Sequence, residues 1–141
     1  MLKTISEALE NFCIHQIRIP HTLSDGVSSN KSFIAYIDID AQSGETHRVY
    51  IASDTNFMQR VSKLFLEEDE SDENTLIDMT LETTNLIVGS AKVIAEESNI
   101  NPYTINTPHF LKTDIFDFEY DQAKFVNIDN DKLMIAIKEL C

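Results

Sequence analysis

The sequence predicts an α+β fold, a largely antiparallel sheet packed against long helices, and three observations carry that prediction. In residues 33–39 the apolar side chains Phe33, Ala35, Ile37 and Ile39 alternate along one face, and residues 46–51 form a second strand across the turn Gln42-Ser43-Gly44-Glu45. Alternation returns in the last third, over residues 115–120, 125–128 and 133–137, with Asp129-Asn130-Asp131 as the turn between the last two segments. Between these strand-rich regions, residues 73–98 carry apolar side chains at helical spacing.

The remaining elements follow in chain order. Leu2, Ile5, Leu9, Phe12 and Cys13 recur at helical spacing and predict a helix over residues 2–14. Residues 15–21 read as extended, with Ile17 and Ile19 alternating before Pro20, and residues 24–31 as a polar loop containing Gly26. Asp54 is placed to cap a helix over residues 56–66 with Phe57, Val61, Leu64 and Phe65 facing inward. The run Glu67-Glu68-Asp69-Glu70-Ser71-Asp72-Glu73 reads as a solvated connector whose end suits the positive start of the next helix. Pro102 marks the limit of that long helix, and residues 101–109 read as irregular or extended.

Composition narrows the function. With 141 residues the chain fits one domain, residues 1–141, long enough to bury a core, and it shows no internal repeat. A net charge of −13, with 24 acidic against 11 basic residues and no Lys/Arg cluster, excludes a phosphate-neutralising face for nucleic acid or an anionic membrane. No stretch reaches the roughly 18 apolar residues of a membrane span, and the N-terminal segment lacks the apolar core of a signal peptide, so a cytoplasmic location is expected. Cys13 and Cys141 supply neither a disulfide framework nor a metal knuckle and are expected as reduced thiols.

The long helix holds the chemistry. At about 100° per residue, Ile77, Leu81, Thr84, Val88, Ala91 and Ala95 share one face, with Ile87 and Ile94 beside them, and form the expected core side. Asp78, Glu82, Asn85, Gly89, Lys92 and Glu96 form a polar strip, bordered by a narrow apolar strip of Met79, Leu86 and Val93 expected at the surface. Asn85 and Gly89 both oppose helix propensity, Gly by about 1 kcal/mol relative to Ala. A missing side chain one turn beyond Asn85 would let another surface approach closely. Glu82 and Asn85 stand at i, i+3 and project together. An amide holds a water by donating and accepting, and a carboxylate pairs with a partner's cation. Placing an oriented water in another protein's phosphorylation site would draw on the proximity effects that dominate phosphoryl transfer.

The segment Glu82-Thr-Thr-Asn85-Leu-Ile-Val-Gly89-Ser-Ala-Lys92 resembles the E-x-x-N-x-x-x-G-x-A-K signature of the CheX-type chemotaxis phosphatases, and Asp78 also fits. The Asn101-Pro102 loop, the Thr107-Pro108 region and the closing strands are similar in order to the rest of such a domain, from about Asp78 to the C-terminus. Before Asp78 the resemblance lies mainly in the order of elements. It implies a CheC/CheX-like fold and hydrolysis of the aspartyl phosphate of a CheY-like receiver domain. Asn85 would orient the water and Glu82 would pair with the receiver's lysine. Asp78, Met79, Leu86, Gly89, Lys92 and Val93 would form the docking surface. The chain would need no cofactor of its own, because Mg²⁺ would belong to the receiver, and a homodimer is implied by the same analogy. The alternative is a non-catalytic adaptor that binds a receiver or a flagellar-switch protein.

Other motifs are weaker. Glu96-Glu97-Ser98-Asn99 repeats the bare E-x-x-N but lacks the Gly and falls at the helix end. His15, His21, His47 and His109 are scattered without the i, i+4 spacing of a helical zinc site, so no metal is expected. Asn127 to Asp131 hints at a calcium loop, yet Lys132 and Lys138 stand where that loop needs Gly and Glu, which leaves a turn. Ser53, Ser62 and Ser90 have no nucleophile-elbow context, and no Gly-rich phosphate loop exists.

Overall fold

The computed structural model describes residues 2–98 and 103–140. Residues 99–102, with the helix-limiting Pro102, the Asn101-Pro102 loop and Asn99, lie outside the described residues, as does Cys141. Seven strands make one antiparallel sheet: β1 (Thr22–Asp25), β2 (Lys31–Ala41), β3 (Thr46–Asp54), β4 (Tyr103–Ile105), β5 (His109–Ile115), β6 (Gln122–Ile128) and β7 (Asp131–Glu139). The order is β1-β6-β7-β3-β2-β4, and β5 also pairs with β2. Helices α1 (Leu2–Phe12), α2 (Thr55–Leu66) and α3 (Glu73–Glu97) pack on one face, where Phe33, Ile37, Ile39, Val49, Ile51, Leu133 and Ile135 meet them in the main core. The predicted fold class holds, with long helices against a largely antiparallel sheet.

Local chemistry sets the boundaries. The Asp54 carboxylate accepts from Phe57 N at 2.8 Å and caps α2, as the sequence predicts, and accepts from Lys132 N at 2.8 Å as well. One side chain therefore ties the start of α2 to the start of β7. Asp129 and Asn130 turn the β6–β7 hairpin at φ 50° and 71°, a left-handed pair that Asp and Asn tolerate. Helix α1 ends earlier than predicted, because residues Cys13–Ile17 open into a π-helical turn. Arg18, at φ 63°, closes that turn by donating its N–H to Cys13 O at 2.8 Å. Residues 15–17 are thus helical rather than extended. The Cys13 thiol is buried beneath this turn, and burial pushes its pKa up to about 12.

Three further expectations are corrected. In α2 the buried residues are Phe57, Met58, Val61 and Ser62, while Leu64 and Phe65 are 47% and 40% exposed. The inner face is rotated because Ser71 docks onto it: the Ser62 and Ser71 hydroxyls hydrogen-bond, and Gln59 bonds Ser71 N and O at 3.0 and 2.8 Å. The acidic run is therefore pinned at Ser71 rather than solvated throughout. The strand predicted over residues 115–120 lies earlier in the chain, as β5. Phe116 and Phe118 leave the ladder and cover the sheet's outer face, with ring centroids 5.3 and 5.2 Å from Tyr50. They form a second small core with Ile34, Ala52, Met134 and Ala136.

Strands β4 and β5 run one after the other along β2. The pair Tyr36↔His109 belongs to β5 and the pair Ile39↔Ile105 to β4, so two residues of β2 face three of the opposing chain, Asn106, Thr107 and Pro108. This one-residue excess is a bulge, and Pro108 brings no N–H to a ladder there.

Candidate functional site

Helix α3 buries one side and leaves the other open. Asp72 caps it by accepting from Thr75 N at 2.8 Å, so the end of the acidic run suits the helix start as expected. Its buried residues are Leu76, Met79, Thr80, Thr83, Thr84, Ile87, Val88, Ala91 and Ala95. Of the predicted core face, Ile77, Leu81 and Ile94 are only partly buried, while Leu76, Thr80 and Thr83 are added. The threonines enter the core because their hydroxyls are satisfied locally. Thr80 donates to Leu76 O at 2.8 Å and Thr84 to Thr80 O at 2.7 Å, while the Thr83 hydroxyl faces the Met58 sulfur at 3.9 Å.

Met79 is the clearest correction among the candidate docking residues. It is 6% exposed and belongs to the main core, so its side chain is not at the surface. Both α1 and α2 pack against α3. At about 100° per residue Met79 falls on the flank of the buried arc beside Thr83, and the Thr83–Met58 contact shows α2 covering that flank. Leu86 and Val93, on the same apolar strip further along, remain 38% and 50% exposed.

The polar strip beside them also stays open. Asp78, Glu82, Asn85 and Glu96 are exposed, and Gly89 and Lys92 partly so. Glu82 and Asn85 share one shallow cleft with Asp78 and Leu81, and its opposite wall is the β4–β5 bulge, Asn106, Thr107 and Pro108. Asn106 fixes that wall. Its backbone N–H and its side-chain amide both donate to Asp38 O at 2.9 Å, and the amide also reaches Asp40 Oδ2 at 3.2 Å. Asp38 in turn receives Arg48 through Nε at 2.8 Å and its terminal nitrogen at 3.0 Å. The wall is thereby anchored to the central strands. Sequence reasoning noted Thr107-Pro108 but gave Asn106 no role. The available signal was a proline interrupting an otherwise extended segment.

The remaining strip residues have distinct settings. A Cβ built on Gly89 meets nothing within 4 Å, so the chain's own packing does not demand glycine there. Lys92 Nζ lies 4.0 Å from Glu96 Oε1 one turn on, a partly exposed pair that holds the ammonium toward the C-terminal end of the strip. The N-terminal end, with Asp78 and Glu82, is left anionic. A carboxylate and an amide on a rigid, half-buried helix, facing an open cleft, suit a ligand presented on another protein's surface.

Comparison with known proteins decides the family. The family described as Chemotaxis phosphatase CheX matches residues 33–130, well over half of the chain and all of the strip. The chain belongs to the CheX family. Solved structures agree on the fold of this CheX-family chain. A chemotactic CheC-like protein from Shewanella oneidensis superposes with a TM-score of 0.80 at 12% identity, covering 97% of both chains. The chemotaxis protein CheX from Vibrio vulnificus gives 0.77 at 16% identity, covering 96% of both. CheX in a CheX–CheY–BeF3–Mg²⁺ complex from Borrelia burgdorferi gives 0.71 at 16% identity, covering 98% of this chain and 97% of that one. Among curated proteins, none matches this sequence. No helix among the described residues is long and apolar enough to cross a membrane.

Proposed function

We propose that this CheX-family chain hydrolyses the aspartyl phosphate of a CheY-like receiver domain, with Asn85 orienting the attacking water and Glu82 pairing with the receiver's active-site lysine. One observation carries the reading: Glu82 and Asn85 project together into an open cleft from the exposed polar strip of α3, inside the family-matched segment. The solved CheX of similar fold in a complex with CheY and Mg²⁺ supports a receiver as partner.

The residues fit the chemistry. The phosphoryl group needs a water held in line, and the Asn85 amide both donates to and accepts from one. The Glu82 carboxylate supplies the negative charge that fixes the register of a cationic partner group. Exposed Leu86 and Val93 add apolar contact beside the strip. Mg²⁺, which neutralises charge developing on the phosphoryl oxygens, would be brought by the receiver.

The test is the decay of a phosphorylated CheY-type receiver from the same organism, with wild-type chain and with Asn85→Ala. Acceleration by wild type, reduced by about 10²-fold or more in the variant while receiver binding persists, is the expected result for loss of a positioning group. Binding by wild type without any acceleration would replace this reading with the adaptor.

A further inference from the structure

The β2–β3 hairpin end of the sheet brings Glu139, near the end of the last strand, beside Glu45 and His47. Glu45 lies in the loop between β2 and β3, His47 on β3 and Glu139 on β7, and His47 and Glu139 are direct cross-strand partners. One ligand atom from each, two carboxylate oxygens and an imidazole nitrogen, lie within 4.8 Å of one another. The backbone beneath them is fixed. Glu139 N donates to Asp121 Oδ2 at 2.7 Å, and Leu140 N donates to Thr46 O at 2.8 Å.

A second observation concerns the imidazole. His47 Nδ1 is shielded from solvent and has no hydrogen-bond partner among the described residues. A buried, unpaired ring nitrogen costs desolvation free energy, and a histidine beside two carboxylates would ordinarily bond one of them. Here no hydrogen bond joins the imidazole to either carboxylate, although one of its nitrogens and an oxygen of each lie within 4.8 Å of one another. Zinc bonds nitrogen and oxygen at about 2.0–2.2 Å, which puts tetrahedral ligand atoms roughly 3.3 Å apart. Rotation of the exposed Glu45 and Glu139 side chains would have to close the difference from the observed separation.

We infer that Glu45, His47 and Glu139 form a binding site for a divalent transition cation of the Zn²⁺ class, joining the β2–β3 loop to the last strand. One imidazole with two carboxylates leaves room for solvent in the fourth position. The nitrogen ligand selects against Mg²⁺ and Ca²⁺, which prefer all-oxygen shells. The site is separate from the α3 strip and shares no residue with the cleft around Glu82 and Asn85.

Calorimetric titration of the full chain with ZnCl₂ tests this, using wild type, His47→Ala, Glu139→Gln and Asn85→Ala, each checked for folding by circular dichroism. Wild type and Asn85→Ala should show the same saturable site, and affinity should fall at least tenfold in His47→Ala and in Glu139→Gln. Millimolar Mg²⁺ should leave the Zn²⁺ isotherm unchanged. No binding by wild type, undiminished binding in both site variants, or displacement of Zn²⁺ by Mg²⁺ would each overturn the site.

Discussion

Gly89 allows stability and function to be set against each other in a single substitution. It lies in the interior of α3, with ordinary helical backbone and open space where a Cβ would stand. Gly89→Ala therefore meets no clash and regains the helix propensity that glycine gives up, about 1 kcal/mol. With a urea m-value of roughly 2 kcal/mol/M, the unfolding midpoint should rise by about 0.5 M. The same methyl group would stand in the cleft strip one turn beyond Asn85. If a receiver packs closely there, an added methyl costs about 1–3 kcal/mol of overpacking. That corresponds to roughly 5- to 150-fold in the receiver concentration for half-maximal acceleration, since about 1.4 kcal/mol is tenfold. Gly89→Leu should lose more. Urea titration and the phosphoreceiver decay assay read the two arms. An alanine variant that is not stabilised refutes the account of the free helix. Alanine and leucine variants that both act as wild type refute close approach at Gly89.

Two other outcomes follow from the anchors of the cleft and of α2. Asn106→Ala removes both amide contacts to Asp38 and Asp40 and should cost about 1 kcal/mol of stability. Receiver titration should show the half-maximal concentration rising more than the maximal rate falls, because the wall is loosened and the α3 residues are untouched. The Asp54 carboxyl is raised above the ordinary carboxylate range by burial, against the lowering effect of the Lys132 and Phe57 N–H bonds. A raised folded pKa gives stability that is fully present below the unfolded value, near 3.9, and is lost as pH rises through the folded value. The stability of wild type relative to Asp54→Asn should therefore decline from about pH 3 upward, as followed by urea unfolding across pH. A gap that widens with pH would contradict the burial argument.

Much of this architecture is legible in the sequence where local chemistry decides it. Asp54 and Asp72 both cap, Asp129 and Asn130 both turn, and the β2–β3 hairpin forms around the expected turn. Glu82 and Asn85 emerge on an open face because helical spacing alone brings them together. Several of the misplacements share a cause, which is that spacing does not name the partner that covers a residue. Phe116 and Phe118 alternate like a strand because they cover Tyr50, although neither belongs to the ladder. Thr80 and Thr83 look polar and are buried. Met79 looks like part of a surface strip and is covered where the flank beside Thr83 meets α2. The cleft wall could not be read from spacing, since it depends on how residues 103–115 register against a strand more than 60 positions earlier.

That bulged wall separates two jobs which a continuous edge strand would combine. Strand β4 holds its register on Ile39 to Ala41 and β5 holds its own on Lys31 to Tyr36. The three residues between them are therefore relieved of aligning the sheet. Thr107 and Pro108 can be exchanged, lengthened or recharged while both ladders stay in place, provided Asn106 keeps its grip on Asp38. The surface opposite Glu82 and Asn85 is thus a place where residues can change without rebuilding the helix that carries those two side chains.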